Sequence, residues 1–116
     1  MENKQWHDRL QAAIPWGSST CSKAAQLAPE EPAVIVGGKG CRVWDADGRE
    51  FIDFRYGLGP VTLGYGYPAV EEAIREQLNS GIVFGHPHPL ECEVAELLCD
   101  VVAGAEMARF LKSMRE

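Results

Sequence analysis

The chain has 116 residues, of which 17 are acidic and 11 are lysine or arginine, so its formal net charge is −6. A chain of this length forms one small domain at most, and its scattered basic residues argue against a nucleic-acid or anionic-membrane surface. No apolar stretch approaches the roughly 20 residues that span a bilayer and the first residues lack the layout of a signal peptide, so we expect a cytoplasmic protein.

The first 32 residues predict a short helix followed by an extended arm. Trp6, Leu10 and Ala13 recur at helical spacing, and Pro15 with Gly17 ends the helix. Residues 16–32 are rich in Ser, Pro and Ala without periodicity, which is typical of a loop laid over another surface. An ordered loop of this length usually has a functional role.

Three short strands are predicted next, at residues 33–36, 41–44 and 50–54. The glycine-rich residues 37–40 separate the first two strands. Residues 45–48 separate the second pair, and their Asp47-Gly48 step supplies the positive φ angles of a hairpin turn. The two aspartates of this turn also suggest calcium ligands, but the spacing lacks the glycine and glutamate of an EF-hand loop. The hairpin is therefore favoured, as part of a three-stranded antiparallel meander.

Two amphipathic helices follow the strands. Residues 68–79 place apolar side chains on one side, with Pro68 suited to the first turn and Gly81 to a C-terminal cap. A second helix begins near Pro89, and Gly104 ends it. Its apolar residues recur at three- and four-residue steps: Leu90, Val94, Leu97, Leu98 and Val101. Residues 107–111 then predict the start of a buried strand, so the fold class is α+β.

The four cysteines are too far apart for the C-x-x-C pattern of a zinc or redox site. We interpret them as reduced, ordinary apolar residues of the interior, which is the commonest place for a free cysteine. They are Cys21, Cys41, Cys92 and Cys99.

One long motif gives the chain a family resemblance. Residues 40–68 read GCRVWDADGREFIDFRYGLGPVTLGYGYP, residues 81–87 read GIVFGHP, and ECEVAELL precedes MARFLKS. Together these segments resemble the N-terminal segment of a class III, fold-type-I aminotransferase that uses pyridoxal 5′-phosphate (PLP), similar to glutamate-1-semialdehyde 2,1-aminomutase.

The resemblance implies how the chain is organised and what it does. Residues 1–32 would be an N-terminal helix and arm, residues 33–105 the meander and helices of the small domain, and residues 106–116 the start of the large α/β PLP-binding domain. The implied reaction moves an amino group between PLP and a small-molecule keto or aldehyde substrate. Family members are dimers, so a homodimer or association with a full-length relative is expected.

The resemblance also implies site residues. Lys23, Leu58, Gly59 and His86 would lie on the substrate side, and Ser113 would begin the turn that binds the PLP phosphate. A lysine at position 23 would pair with a substrate carboxylate, although a solvated loop lysine is an equal alternative. The glycine-rich corner lacks the lysine of a Walker loop, so its glycines are read mainly as turn residues. His86-Pro87-His88 lacks a third ligand, so no metal site is predicted.

The sequence departs from the family pattern in two places. Leu58 stands where the aminomutases often carry an aromatic residue, and Met114, Arg115 and Glu116 stand where a Gly-Thr-Glu-Ala type turn follows the serine. The Schiff-base lysine and the partner of the pyridine nitrogen have no counterpart here. We therefore expect a truncated or frameshifted product without a catalytic residue, which does not bind PLP alone. The alternatives are a non-catalytic interaction module and a non-functional gene product.

Overall fold

The computed structural model describes residues 1–24, 28 and 30–111, which divide into two compact units, Met1–Ile74 and Arg75–Glu116. No helix among these described residues is long and apolar enough to cross a membrane. In chain order the elements are α1 (Asn3–Ala13), β1 (Ile35–Lys39), β2 (Arg42–Asp45), β3 (Glu50–Ile52), α2 (Pro68–Leu78) and α3 (Pro89–Val101). The predicted α+β fold, with its meander and two amphipathic helices, is confirmed.

Helix α1 is fixed to the sheet at its first residue. The backbone N–H of Asn3 donates to Oδ1 of Asp47 at 2.8 Å, and its side-chain Nδ2 donates to Oδ2 at 3.0 Å. The first N–H groups of a helix have no partner within the helix, so a carboxylate there both satisfies donors and opposes the helix dipole. Asp47, 44 residues away in the hairpin turn, thus acts as a long-range cap of α1.

The three strands pair antiparallel in the order β1, β2, β3, as predicted for a meander. The first strand differs from the prediction, because it begins at Ile35 and extends through Gly37 and Gly38 to Lys39. A bulge between Ile35 and Gly37 shifts the register there. The glycines were read as a connection, but they pair with β2, and the ring of Tyr65 lies against Gly38.

The hairpin turn between β2 and β3 is organised by a buried carboxylate. Asp45 is 1% exposed and accepts hydrogen bonds from the backbone N–H groups of Asp47 and Arg49, at 3.0 and 2.8 Å. Nε of Arg49 donates to its other oxygen at 2.6 Å. Burial alone would raise the pKa of Asp45, but these hydrogen bonds outweigh it and lower the pKa below its usual value. The predicted hairpin is confirmed, with Gly48 at φ 79°.

The second unit contains the end of α2 and all of α3. His88 caps α3, because its Nδ1 accepts the N–H of Leu90 at 3.2 Å while Glu91 bonds back to the His88 N–H at 3.0 Å. Gly81 and Gly104 follow the two helices with positive φ, as predicted. Residues 105–111 show no regular secondary structure, because the strand predicted to start there pairs with no other strand among the described residues.

Few apolar side chains are buried in either unit. Val43, 4% exposed, is the one buried apolar side chain in the described part of the chain, whereas α2 and α3 expose the apolar residues of their predicted faces. The interpretation of the cysteines as buried residues is wrong for Cys21, Cys41 and Cys92, which are exposed, and Cys99 is intermediate. With so little interior, these elements have nowhere to bury a thiol.

Candidate functional site

The glycine-rich corner of the first unit contains a turn of unusual backbone conformation, here called the left-handed turn (residues 56–59). Its four residues all have positive φ: 34° at Tyr56, 63° at Gly57, 64° at Leu58 and 124° at Gly59. Glycine adopts such angles freely, but each non-glycine residue there costs on the order of 1–3 kcal/mol, and such strain concentrates at functional sites. Two predicted substrate-side residues, Leu58 and Gly59, lie in this turn.

Asp53 holds the left-handed turn in place. Its Oδ1 accepts the backbone N–H groups of Arg55, at 2.7 Å, and Tyr56, at 3.1 Å. Its Oδ2 accepts the hydroxyl of Tyr65 at 2.6 Å. The tyrosine hydroxyl and the two backbone donors lower the pKa of Asp53, and the same hydrogen bond to Asp53 raises the pKa of Tyr65. The pair is therefore carboxylate and phenol at neutral pH.

Tyr65 is itself fixed to the edge of the sheet. It exchanges two backbone hydrogen bonds with Gly40, at 2.8 and 2.9 Å. Its ring lies over Gly38, where an added Cβ would stand 2.5 Å from the ring carbon Cγ. Gly38 is therefore needed for this close approach, and the sheet edge gives the Tyr65 hydroxyl a defined position.

Lys23 lies in an exposed segment that the structure joins to this corner. It ends a short 3₁₀ turn, Cys21–Lys23. Nη1 of Arg55 donates to the carbonyl oxygen of Ser22, the residue before Lys23, at 2.7 Å. We call residues 18–24 the Lys23 loop. The structure thus brings the backbone before Lys23 to Arg55, the residue that precedes the left-handed turn and lies 33 residues after Ser22.

The two remaining predicted site residues are His86 and Ser113. His86 belongs to the second unit and lines a cavity of about 460 Å³ there, with Phe84 and His88, whose rings stack at 5.2 Å. His88 uses its Nδ1 lone pair as the helix cap, and the described residues hold no cluster of three or more metal-ligating side chains. Ser113, predicted to bind the PLP phosphate, lies outside the described residues.

A cavity of about 350 Å³ opens beside the corner, and it does not fit PLP. Its lining includes Gly40, Cys41, Asp53, Thr62 and Tyr65, and contains neither lysine nor arginine. PLP needs a lysine to hold it and donors for its phosphate, whereas Asp53 presents a carboxylate already engaged by its own partners. The described residues around this cavity therefore offer no PLP site.

Analysis of the sequence missed Asp53, Arg55 and Tyr65, which organise the corner. An aspartate two residues before a turn has a recognisable local signal, because its side chain bonds the backbone two positions on. The contacts of Tyr65 with Gly38 and of Arg55 with Ser22 have no such local signal.

Comparisons with known proteins agree with the resemblance. The family described as Aminotransferase class-III matches residues 24–114. The glutamate-1-semialdehyde 2,1-aminomutase of Sulfurihydrogenibium sp. strain YO3AOP1 is 36% identical over 115 residues, which are 99% of this chain and 27% of that protein. The chain therefore spans about a quarter of the length of the curated relatives it matches.

Solved structures show the same fold. The Sphingopyxis sp. MTA144 FumI protein, in its PLP internal aldimine form, superposes with a TM-score of 0.85 at 30% identity, covering 97% of this chain and 27% of that one. An omega-transaminase from Sphaerobacter thermophilus gives a TM-score of 0.80 at 27% identity, covering 90% of this chain and 23% of that one.

Proposed function

The chain belongs to the class III aminotransferase family, corresponding to its N-terminal segment, and we propose that it forms the substrate-facing part of a PLP-dependent aminotransferase or aminomutase. The reaction is the transfer of an amino group to or from a small keto or aldehyde substrate. The family match over residues 24–114 carries this proposal. When bound in such an enzyme, PLP supplies the electron sink and the covalent link to the substrate amine.

In this proposal the exposed residues of the first unit contact the substrate. Lys23 pairs with a substrate carboxylate through a charge-assisted hydrogen bond. Leu58, which is 75% exposed, and Gly59 shape the wall of the substrate pocket. Because the aliphatic side chain at position 58 cannot stack on a substrate as an aromatic residue would, it favours substrates that do not depend on such stacking. His86 of the second unit is proposed as a further substrate contact.

A polypeptide of these 116 residues is proposed to be inactive by itself. The reason is chemical. Among the residues that the structure describes, the lysines are Lys4, which bonds Asp8 on the exposed face of α1, Lys23 in its loop, and Lys39 in β1. None lines either described cavity, so none is placed to hold PLP beside a substrate. The cofactor and its lysine are proposed to come from the remaining part of an aminotransferase.

The test is a chimera in which residues 1–113 replace the matching segment of a glutamate-1-semialdehyde 2,1-aminomutase, so that the phosphate-binding turn after the serine is that of the aminomutase. We expect the purified chimera to bind PLP and to change its visible absorption when an amino donor is added. The isolated 116-residue chain, purified in the same way, is the matched control and should show neither effect. A chimera that folds and binds PLP but reacts with no amino donor would contradict the proposal.

A second candidate is a non-catalytic interaction module, favoured by the exposed apolar residues of α2 and α3. Val70, Ile74, Val94, Leu97 and Val101 are all exposed. Exposed apolar helix faces of this kind drive association. The proposed partner is a second copy or a full-length relative, in the cytoplasm. Sedimentation velocity separates the outcomes, because a module forms a complex of defined size and a non-functional product forms polydisperse aggregates.

A further inference from the structure

We propose that Tyr65, Asp53 and Arg55 are positioning residues that together fix the Lys23 loop against the left-handed turn. The inference rests on the proposed function, because that function is what makes the two segments face one substrate. Each of the three residues acts through the backbone it holds. The result is a continuous series of contacts from the sheet edge to the residue before Lys23.

The series begins at a rigid point. Tyr65 is held to the sheet by both backbone hydrogen bonds with Gly40 and by the packing of its ring on Gly38. Gly64 supports the same approach, since an added Cβ there would meet the Gly40 backbone at 3.1 Å. A tyrosine with its backbone and ring both fixed holds its hydroxyl in one place, which makes it a precise donor.

In the middle of the series, Asp53 connects the Tyr65 hydroxyl to the backbone at the start of the left-handed turn. Asp53 takes the Tyr65 hydroxyl on one oxygen and the N–H groups of Arg55 and Tyr56 on the other. A carboxylate with three donors cannot rotate without losing one of them. The strained conformation at Tyr56 and Leu58 persists only when its surroundings over-determine it, and Asp53 is the side chain that does so at the start of the turn.

The end of the series is the hydrogen bond from Arg55 to the Ser22 carbonyl. Asp53 accepts a hydrogen bond from the backbone N–H of Arg55, so a movement of Asp53 also displaces the Arg55 backbone from which that side chain extends. Apart from the Ser18 N–H, which donates to the Pro15 carbonyl just before the loop, the other described hydrogen bonds of the Lys23 loop are internal, such as that from the Ser18 hydroxyl to the Thr20 carbonyl. Arg55 is therefore the contact that ties this loop to the corner.

The hydrogen bond between Tyr65 and Asp53 also defines a pH range for the series. The pKa of Asp53 is lowered and that of Tyr65 is raised, so the carboxylate and the phenol coexist from acidic to strongly alkaline pH. The charge of Arg55 adds to the lowering of the pKa of Asp53. The hydrogen bond between Tyr65 and Asp53 is therefore retained at neutral pH.

Limited trypsin digestion of the full chain tests the proposal. We compare cleavage after Lys23 with cleavage after Arg9, which lies in α1 and reports unfolding of the same unit. We measure the rate of cleavage after Lys23 divided by the rate after Arg9. This ratio should rise about tenfold in each of three variants: Tyr65→Phe, Asp53→Asn and Arg55→Gln. A factor of ten corresponds to about 1.4 kcal/mol in a local opening equilibrium. Arg55→Lys keeps a charged donor, so its cleavage after Lys23 should be much slower than in Arg55→Gln and close to that of the original chain.

Tyr67→Phe is the matched control, because it removes a hydroxyl two residues from Tyr65, and it should leave the ratio unchanged. A ratio equal to that of the original chain in all three test variants would overturn the proposal. So would a rise in Arg9 cleavage that keeps pace with Lys23 cleavage, since the effect would then be unfolding of the whole unit.

A spectroscopic measurement covers the case in which Tyr65→Phe fails to fold. With ¹³Cζ-labelled tyrosine, the Tyr65 phenol should titrate above the ordinary tyrosine range, and Asp53→Asn should lower its pKa toward that range. An unchanged Tyr65 titration in Asp53→Asn would overturn the link between the two side chains. Neither readout uses PLP or activity. A negative result therefore overturns the positioning role and leaves the proposed function standing, whereas an inactive chimera contradicts the proposed function and leaves these contacts as measured.

Discussion

Replacing Asp45 is the most informative perturbation of the first unit, because this buried carboxylate organises the hairpin on which α1 is capped. We consider two variants. Asp45→Asn keeps an oxygen that can accept the two backbone N–H groups but loses the charge opposite Arg49. Asp45→Ala removes all three hydrogen bonds. Because Asp47 lies in the same turn, both variants also loosen the cap of α1.

The magnitude follows from the three hydrogen bonds. A hydrogen bond to a charged group contributes about 1.5–3 kcal/mol and a neutral one about 1 kcal/mol. The Arg49 side chain is 43% exposed, so water compensates part of its loss and the lower values apply. We expect Asp45→Asn to lower the free energy of unfolding by about 1.5 kcal/mol, for the one bond it loses, and Asp45→Ala by about 4.5 kcal/mol, for all three. A unit of this size has only about 4–11 kcal/mol in total.

Urea unfolding followed by circular dichroism measures both values, and its pH dependence tests the cause. The pKa of Asp45 is lowered from 3.8 on folding, so its charge stabilises the unit above that pH and the contribution is lost as pH falls through the folded value. The free energy of unfolding of the original chain should exceed that of Asp45→Asn by the whole expected amount at pH 7, and this excess should shrink below about pH 4. Equal midpoints at pH 7, or a difference independent of pH, would refute the reasoning.

Three further predictions follow from single contacts. Gly38→Ala places a Cβ 2.5 Å from the Tyr65 ring and should cost about 1–3 kcal/mol in urea unfolding. Gly37→Ala is its control, because nothing lies within 4 Å of that site, and it should be far milder; equal costs would argue against the Tyr65 contact. Glu96 raises the pKa of the Cys92 thiol, so Glu96→Gln should speed alkylation of Cys92 by iodoacetamide at pH 8, and an unchanged rate would contradict that cause. The isolated chain should enhance the fluorescence of 1-anilinonaphthalene-8-sulfonate without denaturant, because its helices expose apolar side chains, and no enhancement would indicate that those faces are covered.

The helices and the hairpin could be predicted from the sequence because their signals are local. Pro68 and Pro89 each begin a helix, and Gly81 and Gly104 each follow one with positive φ. The Asp47-Gly48 step gave the hairpin for the same reason. These residues act on their own backbone, so no knowledge of distant segments is needed.

The first strand and the cysteines could not be predicted in this way, because distant residues decide them. Glycine at position 38 looks like part of a connection, but the ring of Tyr65 requires it within a strand. Burial of Cys41 or Cys92 depends on which surfaces cover them. The described residues bury a single apolar side chain, Val43, so composition alone overestimated the interior.

The candidate site was predicted in its segments but not in its connections. The resemblance directed attention to Lys23, Leu58 and Gly59, and their roles remain predictions. What joins their segments is the series from Tyr65 through Asp53 and Arg55, which includes one contact over 33 residues. No periodicity or motif reports such a contact, since both partners are ordinary loop residues in sequence.

The measurement that tests the central claim most directly is steady-state kinetics of the chimera with Lys23→Gln. The account predicts a KM about tenfold higher or more for a carboxylate-bearing amino donor, the loss expected for one charge-assisted hydrogen bond, with little change for an amine that lacks the carboxylate. Lys39→Gln, at an exposed position in β1, is the control and should leave the KM values for both amino donors unchanged. Equal KM values for Lys23→Gln, Lys39→Gln and the unmodified chimera would contradict the claim that this segment faces the substrate.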